Sequence, residues 1–491
     1  MAYKEEVQTI RIPSFQSGIN EYSAEGLIKM YEAVKAYNCN VSEGSLRTFN
    51  SPETKYTMNS NINSLTAYYG ANTSTILLVL YNGLYKPDGT KIYDLTNDKI
   101  DFINFEYMGN RVMVGVGADN EPFMYDGNAC RKLKNRRPKY DENTGELVGY
   151  IDDNGREHSS QDSITTYCPK GSFLELHYDR LWIAGNKENP DRVYFSTAGV
   201  NGADIEDFTI PVADEVEANM HGGFIDVRTY DGSKIIGMKT IFNSVIIFKE
   251  KSAHKIYGSN PSNYQMVDLF SCNGAIADKS IVVGNNGAYF LNRDGIYYYD
   301  GTNTTIISHK IKNTIANMNL NYAKNAVGIF TNNKYYLAIP TGSSEGNNTL
   351  IEYDVSNGSF MVYDIGNVSN FLDYNYEVLY AEGNKVYKLF NNVGTPKALY
   401  WETPMMDLGA KNARKMSNYI YFRAKGNGKI RFTLKTERKE KSLEIQLTDT
   451  ETLYRKKLKN KGRMFKLIIE NVNGSSFELI APEIMLEVDA D

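Results

Sequence analysis

The stretch AYFLNRDGIYYYDG, residues 288–301, decides the fold. Two apolar, Tyr-rich runs flank Asp294-Gly295, and a second Asp-Gly closes the segment. Asp and Gly accept the positive φ that a tight hairpin turn demands, so the segment reads as antiparallel strands folded back on one another. The same punctuation runs from end to end. It recurs at Asn82-Gly83, Asp88-Gly89, Asp126-Gly127, Asn154-Gly155, Asn201-Gly202, Asp231-Gly232, Asn273-Gly274, Asn286-Gly287, Asp300-Gly301, Asn357-Gly358, Asn427-Gly428 and Asn473-Gly474. The chain is a series of hairpins.

Around this segment a repeat emerges. YNGLYKPDGTKIYDL, FMYDGNACRKL, RVYFSTAG, VIIFKEKSAHKIYG, TLIEYDVSNGSFMVYD and VLYAEGNKVYKLF each join an alternating strand, a turn and a Tyr-bearing return strand. Tyr85, Tyr125, Tyr194, Tyr257, Tyr299, Tyr353 and Tyr387 mark the repeats. Their spacing is near the roughly 40–45 residues of a four-stranded propeller blade. Two long gaps predict insertions, a polar hairpin at 136–165 and an acidic loop at 200–225. The fold class is therefore all-β: a β-propeller of six or seven blades over 65–395, followed by a C-terminal antiparallel β-sandwich over 396–491. YIYFRAKG, KIRFTLKTE, KSLEIQL, MFKLIIEN and FELIAPEIMLEV alternate with period two, as half-buried strands do. Residues 1–64 read as an N-terminal arm. Within it Ser23 is placed to cap a short helix whose apolar positions are Leu27, Met30, Tyr31, Val34 and Tyr37.

The 491 residues carry a net charge of −5, which excludes a generally basic nucleic-acid binder. The charge is uneven, with 18 Lys+Arg against 13 Asp+Glu in residues 399–491 and an acidic remainder. Cys39, Cys130, Cys168 and Cys272 stand far apart and read as free thiols, not a zinc or disulfide framework. The N-terminus MAYKEEVQTIRIPSF lacks the apolar core of a secretion signal, and no apolar run reaches the about 20 residues of a membrane span.

Chemistry-bearing motifs are sparse. The five histidines sit in unrelated contexts with no G-x-S-x-G elbow. Asp152-Asp153 and Glu206-Asp207 are carboxylate pairs in polar loops, where a glycosidase would need two carboxyls facing across a pocket. Asp141-Glu142-Asn143-Thr144-Gly145-Glu146 is oxygen-rich but lacks the spacing of a calcium loop. No metal, cofactor or catalytic group is expected. Trp182 and Trp401 read as core residues. Two basic clusters stand out, Arg131, Lys132, Lys134, Arg136, Arg137 and Lys139, and Arg455, Lys456, Lys457, Lys459, Lys461 and Arg463. Few aromatics interleave, so both read as solvated loops or contacts with an acidic protein partner, through Arg136, Arg137, Lys456, Lys457 and Arg463.

The order of features resembles a family. An arm ending NCNVSEGSLRTF leads to a propeller with DRLWIAGNKENPDRVYFSTAG, SVIIFKEKSAHKIYG and GAIADKSIVVGNNGAYFLNRDGIYYYDG, then to a sandwich opening YWETPMMDLGAKNARK. This resembles the tail-hub, or packaged-DNA stabilisation, proteins of short-tailed bacteriophages and related phage tail propellers. Asn40, Val41, Gly44, Leu46 and Arg47 match the arm. Trp401, Glu402, Thr403, Asp407, Leu408, Gly409, Lys411 and Lys415 match the sandwich entry. The resemblance implies a non-enzymatic virion protein, made in the bacterial cytoplasm and placed in the tail. It would form a ring, a hexamer by that resemblance, below the portal and adaptor. The ring would extend the DNA channel, touch passing DNA transiently and anchor fibres or spikes. The alternative from another class is a glycan-binding or glycan-cleaving propeller that recognises a receptor.

Overall fold

The computed structural model describes residues 7–22, 24–96, 99–141, 143–198, 205–210, 221–229, 232–269, 273–408 and 412–489. Seven four-stranded antiparallel sheets form a propeller. Blade 1 comprises Ser64–Tyr69, Ser74–Leu80, Gly83–Tyr85 and Lys91–Asp94. Blades 2 to 6 span 100–132, 173–226, 235–268, 282–306 and 327–364. Blade 7 takes three strands from 370–388, and its fourth is Glu53–Thr57, from the other end of the chain. That strand closes the circle by completing the last blade with chain from before the first. All seven marker tyrosines lie in third strands, which explains their recurrence. Clusters of Leu, Ile, Val and Phe fill the wedges between successive blades, for example Val112, Val114 and Val116 against Leu174, Leu181 and Ile183.

The C-terminal unit is built on two long strands, Arg414–Thr436 and Phe465–Asp489, paired along their whole length. Their pairing is interrupted by irregularities midway, and Arg414–Thr436 pairs with Thr452–Gly462 over its first half and Glu440–Leu447 over its second. Asn427-Gly428 and Asn473-Gly474 lie at one of these irregularities, not in hairpin turns. Gly428, Asn473 and Gly474 take positive φ there, and the pairing slips register between Asn427 and Lys429. The dipeptide signals a reversal of backbone hand, which a bend uses as readily as a turn. Asn201-Gly202 and Asp231 lie outside the described residues, as do Ser23, Glu142, Cys272, Gly409 and Lys411.

The arm is woven into the sandwich. Val7–Arg11 pairs with 483–487, Lys35–Tyr37 pairs with Tyr400–Glu402, and the hairpin Cys39–Ser42/Ser45–Thr48 abuts Leu479 and Glu478. The expected helix is absent: Glu25–Leu27 is one 3-10 turn, Leu27 is exposed, and Lys35–Tyr37 is a strand. An unpaired sheet edge at Tyr400–Glu402 outweighs the weak helical propensity of this segment. Ile10, Ile12, Phe15, Ile19, Ala33 and Phe49 join Phe360 and Tyr363 of blade 6 and Trp401 of the sandwich in one continuous core. Gly18 sits at this joint with φ +65°, and a Cβ there would meet the Phe360 carbonyl oxygen at 2.4 Å. Gly18→Val is therefore expected to lower the thermal midpoint by several degrees, for a loss of about 2 kcal/mol or more.

Candidate functional site

The first basic cluster is not a free surface. Arg136 begins the insertion hairpin, whose strands are Arg136–Tyr140, Leu147–Asp152 and Glu157–His158. Its guanidinium lies 3.0 Å from Glu206 and 4.0 Å from the centre of the Tyr150 ring. Arg131 reaches the same carboxylate at 2.6 Å, and Glu206 has no exposed side-chain surface. Arg137 holds Asp207 at 3.4 Å and donates to Thr209 at 2.9 Å. Lys132 pairs with Glu121, Lys139 with Glu157, and Lys134 donates to the Ile164 carbonyl. Arg136 and Arg137 thus bolt the insertion to the acidic segment 205–210, and their reading as partner contacts is corrected by that internal pairing. The Glu206-Asp207 pair is turned inward, each carboxylate engaged by arginine. Complementary dipeptides, Arg136-Arg137 and Glu206-Asp207, were the available signal. Burial pushes the Glu206 pKa up, but Arg131 and Arg136 outweigh it and hold the carboxylate below its ordinary value.

The second cluster is a strand, not a loop. Thr452–Gly462 pairs with Lys415–Ala424 on one side, and among the described residues no strand pairs with its other side. Tyr454 and Leu458 point into the sandwich, whereas Arg455, Lys456, Lys457, Lys459 and Lys461 are exposed. Arg455 stacks on Tyr419 at 4.1 Å. Arg463 is exposed just beyond, its backbone N–H donating to Glu437. Lysines on an open edge keep other strands from adding to it, which is sufficient reason for their presence. Reversing Lys456, Lys457 and Arg463 to Glu should change unfolding free energy by about 0.5 kcal/mol or less, read by urea titration.

The first strands of all seven blades line a central cavity of about 440 Å³. Lys99, Asp101, Lys239, Asp278 and Lys279 face it. Lys239 is 2.6 Å from Glu175, and Lys279 donates to Asn370 Oδ1. Burial pushes the Lys279 pKa down to about 8, opposed by Asp278 and reinforced by Lys99. Burial raises the Asp101 pKa. Lysine with a depressed folded pKa binds its proton more weakly folded than unfolded. Stability should therefore rise as pH climbs from about 8 toward the ordinary value of 10.5, and Lys279→Met should flatten that slope.

One constellation escaped the sequence reading. Ser252 Oγ lies 3.2 Å from His254 Nε2, and His254 Nδ1 lies 2.7 Å from Asp268 Oδ1. Ser-x-His on one strand face, opposite Asp268 on the next strand, was the signal. The connectivity is that of an acyl-transfer triad. The Asp268 side chain is 55% exposed, and the Ser252 side chain and Asp268 between them engage both ring nitrogens of His254. The trio satisfies a buried imidazole. Among the described residues no group of three His, Cys, Asp or Glu is placed to hold a metal ion. Asp141 instead caps its own turn by accepting from the N–H groups of Asn143 and Thr144. Cys39 and Cys168 are buried and Cys130 half-buried, and the three stand as thiols. Trp182 and Trp401 are both fully buried. No helix among the described residues is long and apolar enough to cross a membrane.

No family model matches the chain, and no curated protein matches it. Among solved structures it is similar to the WD40 domain of Pan2 from Neurospora crassa, with 11% identity and a TM-score of 0.24. That match covers 66% of this chain and 74% of the other. It is also similar to apo AztD from Citrobacter koseri, with 11% identity and a TM-score of 0.34, covering 66% of this chain and 90% of the other. Likeness at this level bears on the fold alone, and the propeller stands on its own sheet order.

Proposed function

We infer that this chain is a non-enzymatic structural component of a phage tail, assembling as a ring below the portal and adaptor. The observation that carries the reading is the way the chain is tied together. The arm threads between propeller and sandwich, its strands complete both, and one apolar core runs through all three. A body of this kind transmits load without hinging. Two of the strings that resemble tail-hub proteins, the arm motif and the sandwich entry, fall at this joint, and the other three lie in blades 3 to 5. Arg47 pairs with Glu478 at 2.6 Å, Glu402 with Lys466 at 2.7 Å, and Trp401 is fully buried.

A cavity of about 440 Å³ at the propeller axis suits a small molecule, so DNA would pass through the lumen of the ring and not through a propeller. An acidic body lining that lumen would let DNA slide without sticking. The exposed strand Thr452–Gly462 is the part most suited to an acidic neighbour. Tail assembly with the Lys456, Lys457 and Arg463 reversals should weaken, most strongly at low salt, where charges act over a longer Debye length. Cyclic rings join two different surfaces of each subunit, so interface variants should fall into two separate patches. The reading is tested by mass spectrometry of purified virions of the phage that encodes the chain. Stoichiometric presence supports it, and absence from the mature particle would refute it. Fluorophosphonate probes should leave Ser252 unlabelled, and labelling would overturn the non-enzymatic part.

A further inference from the structure

The turns joining the first and second strands of the blades lie together on one face of the propeller, around one mouth of its axis. They are 70–73, Met108-Gly109, Tyr178-Asp179, Phe242-Asn243, Asn285-Asn286, Asn332-Asn333 and Asn375-Tyr376. Side chains link them across blades. Tyr69 Oη donates to the Asp373 carbonyl, and its ring is 6.5 Å from Tyr374. Asn285 donates to Asn333 at 2.8 Å, and Phe242 packs over Gly301 of the next blade.

The chemistry of this ring of turns is unlike the rest of the chain. The chain is 23% charged, yet among these turn residues only Asp179 carries charge. What remains is mostly asparagine, small residues and large side chains of Tyr, Phe and Met. Tyr69, Met108, Tyr178, Phe242 and Tyr376 are 42–96% exposed. Asn72, Asn243, Asn285, Asn286, Asn332, Asn333 and Asn375 are exposed beside them. Four of the large side chains, three rings and one thioether, are also held at a backbone cost. Met108, Tyr178, Phe242 and Tyr376 have φ between 46° and 64°, a region that suits Gly or Asn and not a bulky side chain. Blade 6 shows the relaxed solution, with Asn332-Asn333 at the same turn. Exposed large side chains kept in strained turns point to a contact.

The composition selects the occupant. DNA or an anionic lipid surface would need Lys or Arg, and these turns have none. A charged protein patch would need a complementary charge. Flat phenol and phenyl faces stack on the C–H faces of sugars, and each amide offers two donors and an acceptor to paired hydroxyls. We propose that this face binds a neutral oligosaccharide, centred on the seam of blades 7 and 1, where Tyr69 and Tyr374 meet and the adjoining turn carries the exposed Tyr376. The proposal is independent of the tail reading, because a virion census neither requires nor excludes saccharide binding.

The test is retention of the full-length protein on an array of defined glycans with neutral and acidic members. The expected result is binding to neutral members, weakened about tenfold or more, the scale of losing several ring contacts, in the variant Met108→Asn/Tyr178→Asn/Phe242→Asn/Tyr376→Asn. Because Asn accepts positive φ, the variant should melt no lower than the parent. Should it fail to fold, Tyr376→Asn alone gives the same readout at the most exposed ring. No binding to neutral glycans, preference for acidic ones, or binding untouched by the variant would overturn the proposal. Loss of self-association in the variant without any glycan bound by the parent would also overturn it, in favour of a protein interface.

Discussion

Replacing Trp401 with alanine should cost about 3–5 kcal/mol, the scale of deleting a fully buried aromatic from a packed core. Trp401 is fully buried and meets Phe15 edge-on at a centroid distance of 5.0 Å. It sits where the arm, the sandwich and blade 6 share one core. Its loss opens a cavity at the joint, not at the rim of one domain. Urea unfolding should therefore show a lower midpoint for the whole molecule. If propeller and sandwich are one cooperative body, a single transition shifts. If only the sandwich melts early while the propeller signal stays put, the shared core does not couple them.

Replacing Glu206 with alanine is the second large effect, also about 3–5 kcal/mol, because it strands buried charge. Arg136 is 7% exposed at its side chain and would lose the Glu206 carboxylate that it meets at 3.0 Å. The pH dependence has a definite sign. The folded pKa of Glu206 is depressed, so its contribution is fully present above the unfolded value and is lost as pH falls through the folded value. With an unfolded carboxylate near about 4.3, acid loosening of the insertion should begin below about pH 5. Glu206→Gln should remove that acid step along with most of the stabilisation. Limited proteolysis of the 136–158 hairpin reads both outcomes. An insertion equally protected in Glu206→Ala and parent would contradict the bolt.

How much of this was legible depends on range. The propeller was readable because its units are local. Asp294-Gly295 and its flanking tyrosines specify a hairpin without help from elsewhere, and every marker tyrosine landed in a third strand. The closing strand Glu53–Thr57 was missed because ETKYT has little apolar pattern of its own. It becomes a strand only by pairing with Lys385–Lys388, more than three hundred residues away. The arm failed for the same reason, since Lys35–Tyr37 takes its state from the edge at Tyr400–Glu402. The candidate site was less legible still. Arg136 and Lys456 look alike in sequence, each in a run of basic residues. One is buried against Glu206 and the other stands on an open edge, and only the tertiary fold separates them.

The central claim is that this propeller is a ring-forming part of a phage tail. Reconstruction of the tail of purified virions by electron cryomicroscopy tests it most directly. The account predicts seven-bladed propellers repeated around the tail axis below the adaptor, each touching its neighbours through two different surfaces, with DNA in the shared lumen. A tail complete without this chain, or the chain found only outside the particle, would contradict it.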